Sequence, residues 1–258
     1  MSGDADLARV GELFADRTRS RILLSLLGGR ELAAGVLADE AGVSRPTASG
    51  HLRKLVDGGL LAVRAEGRHR WYRIAGPEVG DLVERLAALA PPLPVASLKA
   101  STRADRLRTA RTCYDHFAGR LGVAIMGSLL DHGRITGGDG LFHADGGDRP
   151  ASAGRELDYR LTDDGRDFLA GLGVALPDGS SRPVVRYCID WTETRHHLAG
   201  GAGRALCDRF FAAGWAERLP TYRAVRVTPA GERVLAPALR RRLARLTVTG
   251  TASPPSRR

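Results

Sequence analysis

The stretch VSRPTASGHLRKL, Val43–Leu55, has the spacing of a helix but keeps its bulk for the end. Ser44, Arg45, Thr47, Ser49 and His51 bring small or polar groups to its first half, while Ala48, Leu52 and Leu55 recur three and four apart on one face. Ser44 is a natural N-cap and Pro46 falls in the first turn. Such a helix is fastened by one face and offers small polar side chains at its start to something outside. Charge gathers at the same place. Between Ser44 and Arg73 there are seven bases against Asp57 and Glu66, whereas residues 1–92 as a whole net only +1.

The flanks give the context. Leu7, Val10, Leu13 and Phe14 share a helical face, as do Ile22, Leu23, Leu26 and Leu27. ELAAGVLADEAG (31–42) makes a third short helix, with Leu32, Val36 and Leu37 inward and Gly42 ending it. After the opening helix, LLAVRAEGRHRWYRIAG (60–76) alternates apolar and polar residues about a Glu66–Gly67 turn, which predicts a β-hairpin. Pro77 stands where a helix begins, with Val79, Leu82, Val83, Leu86 and Leu89 striped behind it. Pro91 and Pro92 stop that helix.

The order is three helices, a turn, a fourth helix, a hairpin and a last helix. LADEAGVSRPTASGHLRKLVDGGLLAVRAEGRHRWYRI (37–74) resembles the ArsR-type winged helix-turn-helix of bacterial transcription repressors, over roughly residues 5–90. The resemblance explains the opening helix. A recognition helix puts its N-terminal side chains into the major groove, so they must be polar and small enough for close approach. Arg45 suits bidentate contact with guanine, and Thr47, Ser49 and His51 follow on the exposed side. Many ArsR-type sequences carry a second His where Gly50 stands, so one base contact is missing here. Arg53 and Lys54 are placed for phosphates, and Arg64, Arg68, His69 and Arg70 form the wing. The resemblance also implies a homodimer built from the first helix and the Pro77–Ala90 helix; the stripe on the latter serves equally well as intramolecular core. Two metal sites familiar in ArsR-type sensors are missing. Ala33, Ala34 and Gly35 stand where a Cys pair would, and the last helix has Asp81 and Glu84 but no His.

The C-terminal half repeats itself. RTCYDHFAGRLG from Arg111 and RYCIDWTETRHHLAGGAG from Arg186 match at Arg111/Arg186, Cys113/Cys188, Asp115/Asp190, His116/His197, Ala118/Ala199, Gly119/Gly200 and Gly122/Gly203. The second copy carries six extra residues, WTETRH, between its Asp and its His. YRLTDDGRDFLAGLG and VRVTPAGERVLAPAL then each read as strand and helix, with Thr162 and Thr228 as N-caps. Each copy is thus a degenerate winged-helix unit, and the pair packs about a local pseudo-two-fold axis. The small residues strip one helix face so that something approaches closely, first of all the matching face of the other copy.

Three functional readings of the Arg-Cys-Asp-His sets stand beside a purely structural one. The leading expectation is wiring around a pocket for a small organic effector, an anion held by Arg111 and Arg186, with Cys113, Tyr114, His116, Cys188, Asp190, Trp191 and His197 around it. The second is a Cys2His2 metal site from Cys113, Cys188, His116 and His197, although Cys188 to His197 is not a usual ligand spacing. The third is a Cys113/Cys188 redox pair. His132, His196 and Cys207 have no duplicate and read as structural or surface residues. The Gly- and Asp-rich segment 133–158, with Asp139, His143, Asp145 and Asp148, reads as a mobile solvated loop.

The chain of 258 residues carries a formal charge of +10, nearly all of its positive charge on Arg. Three cysteines make no secreted disulfide framework, and the sequence has no secretory leader and no apolar run of membrane length. A cytoplasmic protein is expected. A nucleophile elbow, a phosphate loop and a complete triad are all missing, which argues against an enzyme with a DNA-binding appendage, and no cofactor is expected. The expected fold is mainly α with short β-hairpins (α+β). It comprises a DNA-binding domain over 1–92, a linker over 93–110, a duplicated sensor domain over 111–246 (repeats about 111–173 and 186–246) and a disordered basic tail over 247–258. The expected function is a ligand-responsive repressor that binds operator duplex DNA.

Overall fold

The computed structural model describes residues 4–90, 98–146, 148, 154, 157–177, 183–219 and 223–235. Its chain forms two compact units. The first is residues 1–90, with which the short stretches 112–114 and 219–224 also group. The expected tail over 247–258 lies outside the described residues.

In the first unit, helices α1 (Leu7–Ala15) and α2 (Arg17–Leu26) meet at Asp16. Asp16 ends the first and caps the second, where its carboxylate accepts from the Arg19 amide at 2.9 Å. Strand β1 (Leu32–Ala33), which periodicity does not signal, leads into α3 (Ala34–Ala41). Gly42 ends α3 in the left-handed region at φ +72°, where a side chain would be strained. Ser44 then caps α4 (Arg45–Asp57). Strands β2 (Leu61–Glu66) and β3 (His69–Ile74) pair from Leu61↔Ile74 to Glu66↔His69, so the turn residues are Gly67 and Arg68, one position later than the alternation predicts. Gly67 carries the positive φ that such a turn needs. β1 adds to the free edge of β3, and α5 (Pro77–Leu89) starts at its proline.

Ile22, Leu23, Leu26, Leu37, Leu52, Leu55, Leu61, Tyr72 and Val83 form one buried core. Each such side chain contributes about 1.5–3 kcal/mol through burial. On α5 the predicted stripe divides. Val83 is buried, while Leu82, Leu86 and Leu89 are exposed, as are Leu7 and Val10 of α1.

The second unit begins with α6 (Leu98–Thr109), a helix inside the stretch expected to be a linker. A hairpin of β4 (Arg111–Cys113) and β5 (His116–Ala118) runs into α7 (Gly119–Asp131). β6 (Ile135–Thr136) pairs with β7 (Arg160–Leu161), and α8 (Asp163–Gly171) follows. The same order then recurs as β8 (Arg186–Ile189), β9 (His196–Ala199), α9 (Gly200–Ala212), β10 (Ala216–Arg218) and β11 (Val225–Val227), with residues 229–235 helical. Thr162 and Thr228 cap alike. Each hydroxyl accepts the amide three residues on at 3.1 Å and donates to a carbonyl just past the preceding helix, that of Gly133 or Gly214. The packing is crossed: α7 lies against β9 and α9 against β5. The core between them holds Phe117, Leu121, Met126, Leu129, Tyr187, Leu198, Leu206 and Phe210.

Candidate functional site

The outward face of the first unit matches the sequence reading at most positions. Ala48, Leu52 and Leu55 bury α4, leaving Ser44, Arg45, Thr47, Ser49, Arg53 and Lys54 exposed. The Ser44 hydroxyl accepts from the Thr47 amide at 3.3 Å. A β-carbon at Gly50 would touch nothing, so the surface there is open. Arg68, His69 and Arg70 are exposed about the hairpin tip. Two expected contacts are committed elsewhere. His51 is half-buried, its Nδ1 3.4 Å from the Asp16 carboxylate. Arg64 donates to both oxygens of Glu31, at 3.2 and 3.0 Å, and to Glu66 at 2.7 Å, so it must leave two carboxylates to meet a phosphate.

Four residues of the β4–β5 and β8–β9 hairpins converge. The ligand-type atoms of Cys113, His116, Cys188 and His197 all lie within 4.8 Å of one another. Strand pairing produces each half. The β4–β5 turn at Tyr114–Asp115, closed by Tyr114 at φ +51°, sets Cys113 beside His116. Cys188 and His197 are direct partners across β8 and β9. The odd spacing is thereby explained, since the extra residues 191–195 lie in the turn end of the hairpin and His196 pairs with Ile189, which leaves that register intact. Cys113 belongs to the β4–β5 hairpin, so the hairpin fixes its place in the set.

The glycines make the crossing possible. A β-carbon on Gly122 of α7 would meet the Phe117 carbonyl and stand 3.3 Å from Cβ of His197; one on Gly203 of α9 would meet the Leu198 carbonyl and stand 3.3 Å from Cβ of His116. The glycine of each helix therefore makes room for a histidine of the facing hairpin, and the two rings lie tilted at 31° with centroids 5.1 Å apart. His197 is fully buried. Burial, with His116 beside it, pushes its pKa down to about 3, so the ring is neutral. Neither of its nitrogens has a hydrogen-bond partner among the described residues.

The two arginines part company, against the expectation of an anion clamp. Arg111 is 1% exposed and gives Nη2 to Asp190 at 2.8 Å, while Arg186 is exposed. Asp190 also accepts from the Gly119 amide at 2.6 Å, the Thr192 amide and hydroxyl at 2.9 and 2.7 Å, and the Glu193 amide at 3.1 Å. Burial alone would raise its pKa; the Arg111 guanidinium and the Thr192 side chain outweigh it and hold the carboxyl well below the usual range. The Trp191 ring lies 4.7 Å from the Arg111 guanidinium and is partly exposed. Tyr114 is half-buried.

One buried network escaped the sequence. His196 bonds Tyr159 through Nδ1 and Asp148 through Nε2, each at 2.8 Å. Asp148 is buried, which corrects its reading as a solvated loop residue, and its carboxylate also accepts from the His143 amide at 2.9 Å. Burial pushes the Tyr159 hydroxyl up to about 12. A buried His flanked by Tyr159 and Tyr187 has no sequence signature, because Asp148 and His196 are far apart in the chain. Cys207 is buried and its thiol pKa is raised by that burial, so it is a packing residue.

Comparison with known proteins follows the same division. A helix-turn-helix domain family matches residues 14–64. The HTH-type transcriptional regulator Rv0324 of Mycobacterium tuberculosis is 42% identical over 76 residues, 30% of this chain and 33% of that protein. A probable mercury resistance operon repressor of Streptomyces lividans is 37% identical over 83 residues, 32% of this chain and 66% of that one. The HTH-type transcriptional regulator YdfF of Bacillus subtilis is similar at 38% identity over 229 residues, covering 88% of this chain and 94% of YdfF. With an ArsR-type winged helix-turn-helix at one end and nearly all of YdfF matched along its length, the chain belongs to the family of HTH-type transcriptional regulators that includes YdfF.

Proposed function

We propose that this regulator is a repressor that binds operator DNA as a homodimer, with α4 in the major groove and the β2–β3 tip beside the phosphates. The exposed N-terminal end of α4 carries the reading, because Ser44, Arg45, Thr47 and Ser49 stand clear of a core that holds the same helix rigidly from behind. A dimer supplies two such helices at a fixed spacing. The exposed apolar residues of α1 and α5, among them Leu7 at 78% and Leu89 at 83%, are surface that a second copy would cover. The second unit is a duplicated regulatory domain that receives an effector. Its matched Thr caps, its crossed Gly–His contacts and its recurring element order support the duplication.

Selection of tight-binding sequences from a random duplex pool tests the reading. One enriched motif with two-fold symmetry is expected. Arg45→Ala and Ser49→Ala should each relax preference at a defined base pair, at about 1–3 kcal/mol for Arg45. Unchanged affinity and preference in the double variant would sink the assignment of α4.

A further inference from the structure

We propose that Cys113, His116, Cys188 and His197 form a tetrahedral site for one divalent ion of the zinc class, and that this ion is the effector of the second unit. The effector role rests on the DNA-binding function proposed above; the binding of the ion does not.

The donor set decides the class. Two sulfurs and two imidazoles suit a borderline late first-row divalent ion in tetrahedral geometry and offer nothing to magnesium or calcium, which take oxygen. Charge points the same way. Binding would release two thiol protons to solvent, and the two thiolates then cancel the dication, leaving a neutral filled site in a largely buried place. The four atoms, mutually within 4.8 Å, are close to what a bound ion needs. Bond lengths to zinc imply ligand–ligand separations of about 3.3–3.8 Å, a small inward adjustment.

The second line of argument is independent of the cluster's composition. Buried polar groups ordinarily find partners, yet His197 has both ring nitrogens without a hydrogen bond among the described residues while sitting fully buried in the set. Each histidine also has a carboxylate on its Nδ1 side. Asp115 lies 3.0 Å from Nδ1 of His116, and Asp190 lies 3.8 Å from Nδ1 of His197. A carboxylate hydrogen-bonded there, as Asp115 is to His116, turns Nε2 toward the ion, the outer-shell arrangement that metal-bound histidines adopt, and Asp190 needs to close by less than about 1 Å to do the same for His197. The ion would join the β4–β5 hairpin to the β8–β9 hairpin, so occupancy would set how the two halves of the unit sit against each other.

Cobalt titration of chelator-treated, reduced, full-length protein tests the site. One Co2+ per chain is expected, with thiolate-to-cobalt charge transfer in the near ultraviolet, strong visible bands of a tetrahedral ion, and displacement by Zn2+. Cys188→Ser should cut the charge-transfer intensity and His197→Gln should weaken binding, whereas Cys207→Ser should change neither. Asp115→Asn should weaken Co2+ binding about 10–100-fold. Wild-type protein with native circular dichroism that binds no Co2+, or the same charge-transfer band in Cys188→Ser, would overturn the site. So would a Cys113–Cys188 disulfide that persists in reductant. The effector role is read separately, on the duplex selected above, where Zn2+ against chelator should change affinity at least about 5-fold. A filled site with unchanged DNA affinity overturns the effector role and leaves a structural ion. Failure to select any duplex counts against the DNA reading, while the cobalt result still decides the site.

Discussion

Replacing Arg111 by Met isolates the buried charge pair in the second unit. Arg111 and Asp190 are 1% and 0% exposed and meet at 2.8 Å. Breaking such a pair from one side typically costs about 3–5 kcal/mol, because the remaining charge stays buried without its counter-ion. Asp190 keeps four donors from Gly119, Thr192 and Glu193, so the lower end applies, about 3 kcal/mol. The variant also loses the donation from Nη1 to the Leu107 carbonyl at 3.0 Å, which ties β4 to the end of α6. With a urea m-value of about 2 kcal/mol/M, the midpoint of the second unit should fall by roughly 1.5 M. The three tryptophans allow a clean reading. In a Trp71→Phe background only Trp191 and Trp215 report, and both lie in the second unit. Trp191 stacks on Arg111, so Trp215 is the probe of choice in a matched Trp191→Phe background. A midpoint that moves by less than about 0.3 M would refute the claim that Asp190 depends on Arg111 for its charge.

Two further outcomes are expected on the DNA-binding unit. Arg53→Ala with Lys54→Ala should weaken binding to all duplexes alike and flatten the dependence of log affinity on log salt by about 1.8, for two lost phosphate contacts; a changed base preference with an unchanged slope would contradict their placement. Asp16 has its pKa lowered, chiefly by the Arg19 amide that it caps, which works against the cost of burial with the His51 and Arg19 charges adding to it. Its contribution to stability is therefore present above the unfolded value of about 3.9 and lost as pH falls through the folded value, so Trp71-reported stability should drop more steeply between pH 5 and 3 in the wild type than in Asp16→Asn.

What the sequence carried was mostly local. Ser44, Gly42, Pro77, Thr162 and Thr228 act through neighbours a few residues away, and each does in the structure what its position predicts. The duplicated motif told more than its spacing did. Cys188 and His197 looked too far apart for ligands until the β8–β9 register put them opposite each other. Relations across the chain were illegible. Nothing in sequence says that Arg64 will reach Glu31, that Leu32 will lie against Tyr72, or that Asp148 will fold inward onto His196. The anion clamp failed for the same reason. Arg111 and Arg186 are matched letters, but only Arg111 meets the buried Asp190 carboxylate, while Arg186 is exposed.

The exchange of glycine and histidine between α7, α9 and the facing strands has a consequence for how this protein can change. In a symmetric dimer of identical chains every substitution arrives twice, and a residue good on one side must be tolerated on the other. Two halves on one chain escape that constraint while the tether keeps them at high effective concentration. Gly122 must stay small for His197, and Gly203 for His116, so these four positions are bound to one another. Arg111 and Arg186 carry no such mutual debt. One is an internal anchor and the other a surface residue, an asymmetry that two separate, identical subunits could not carry.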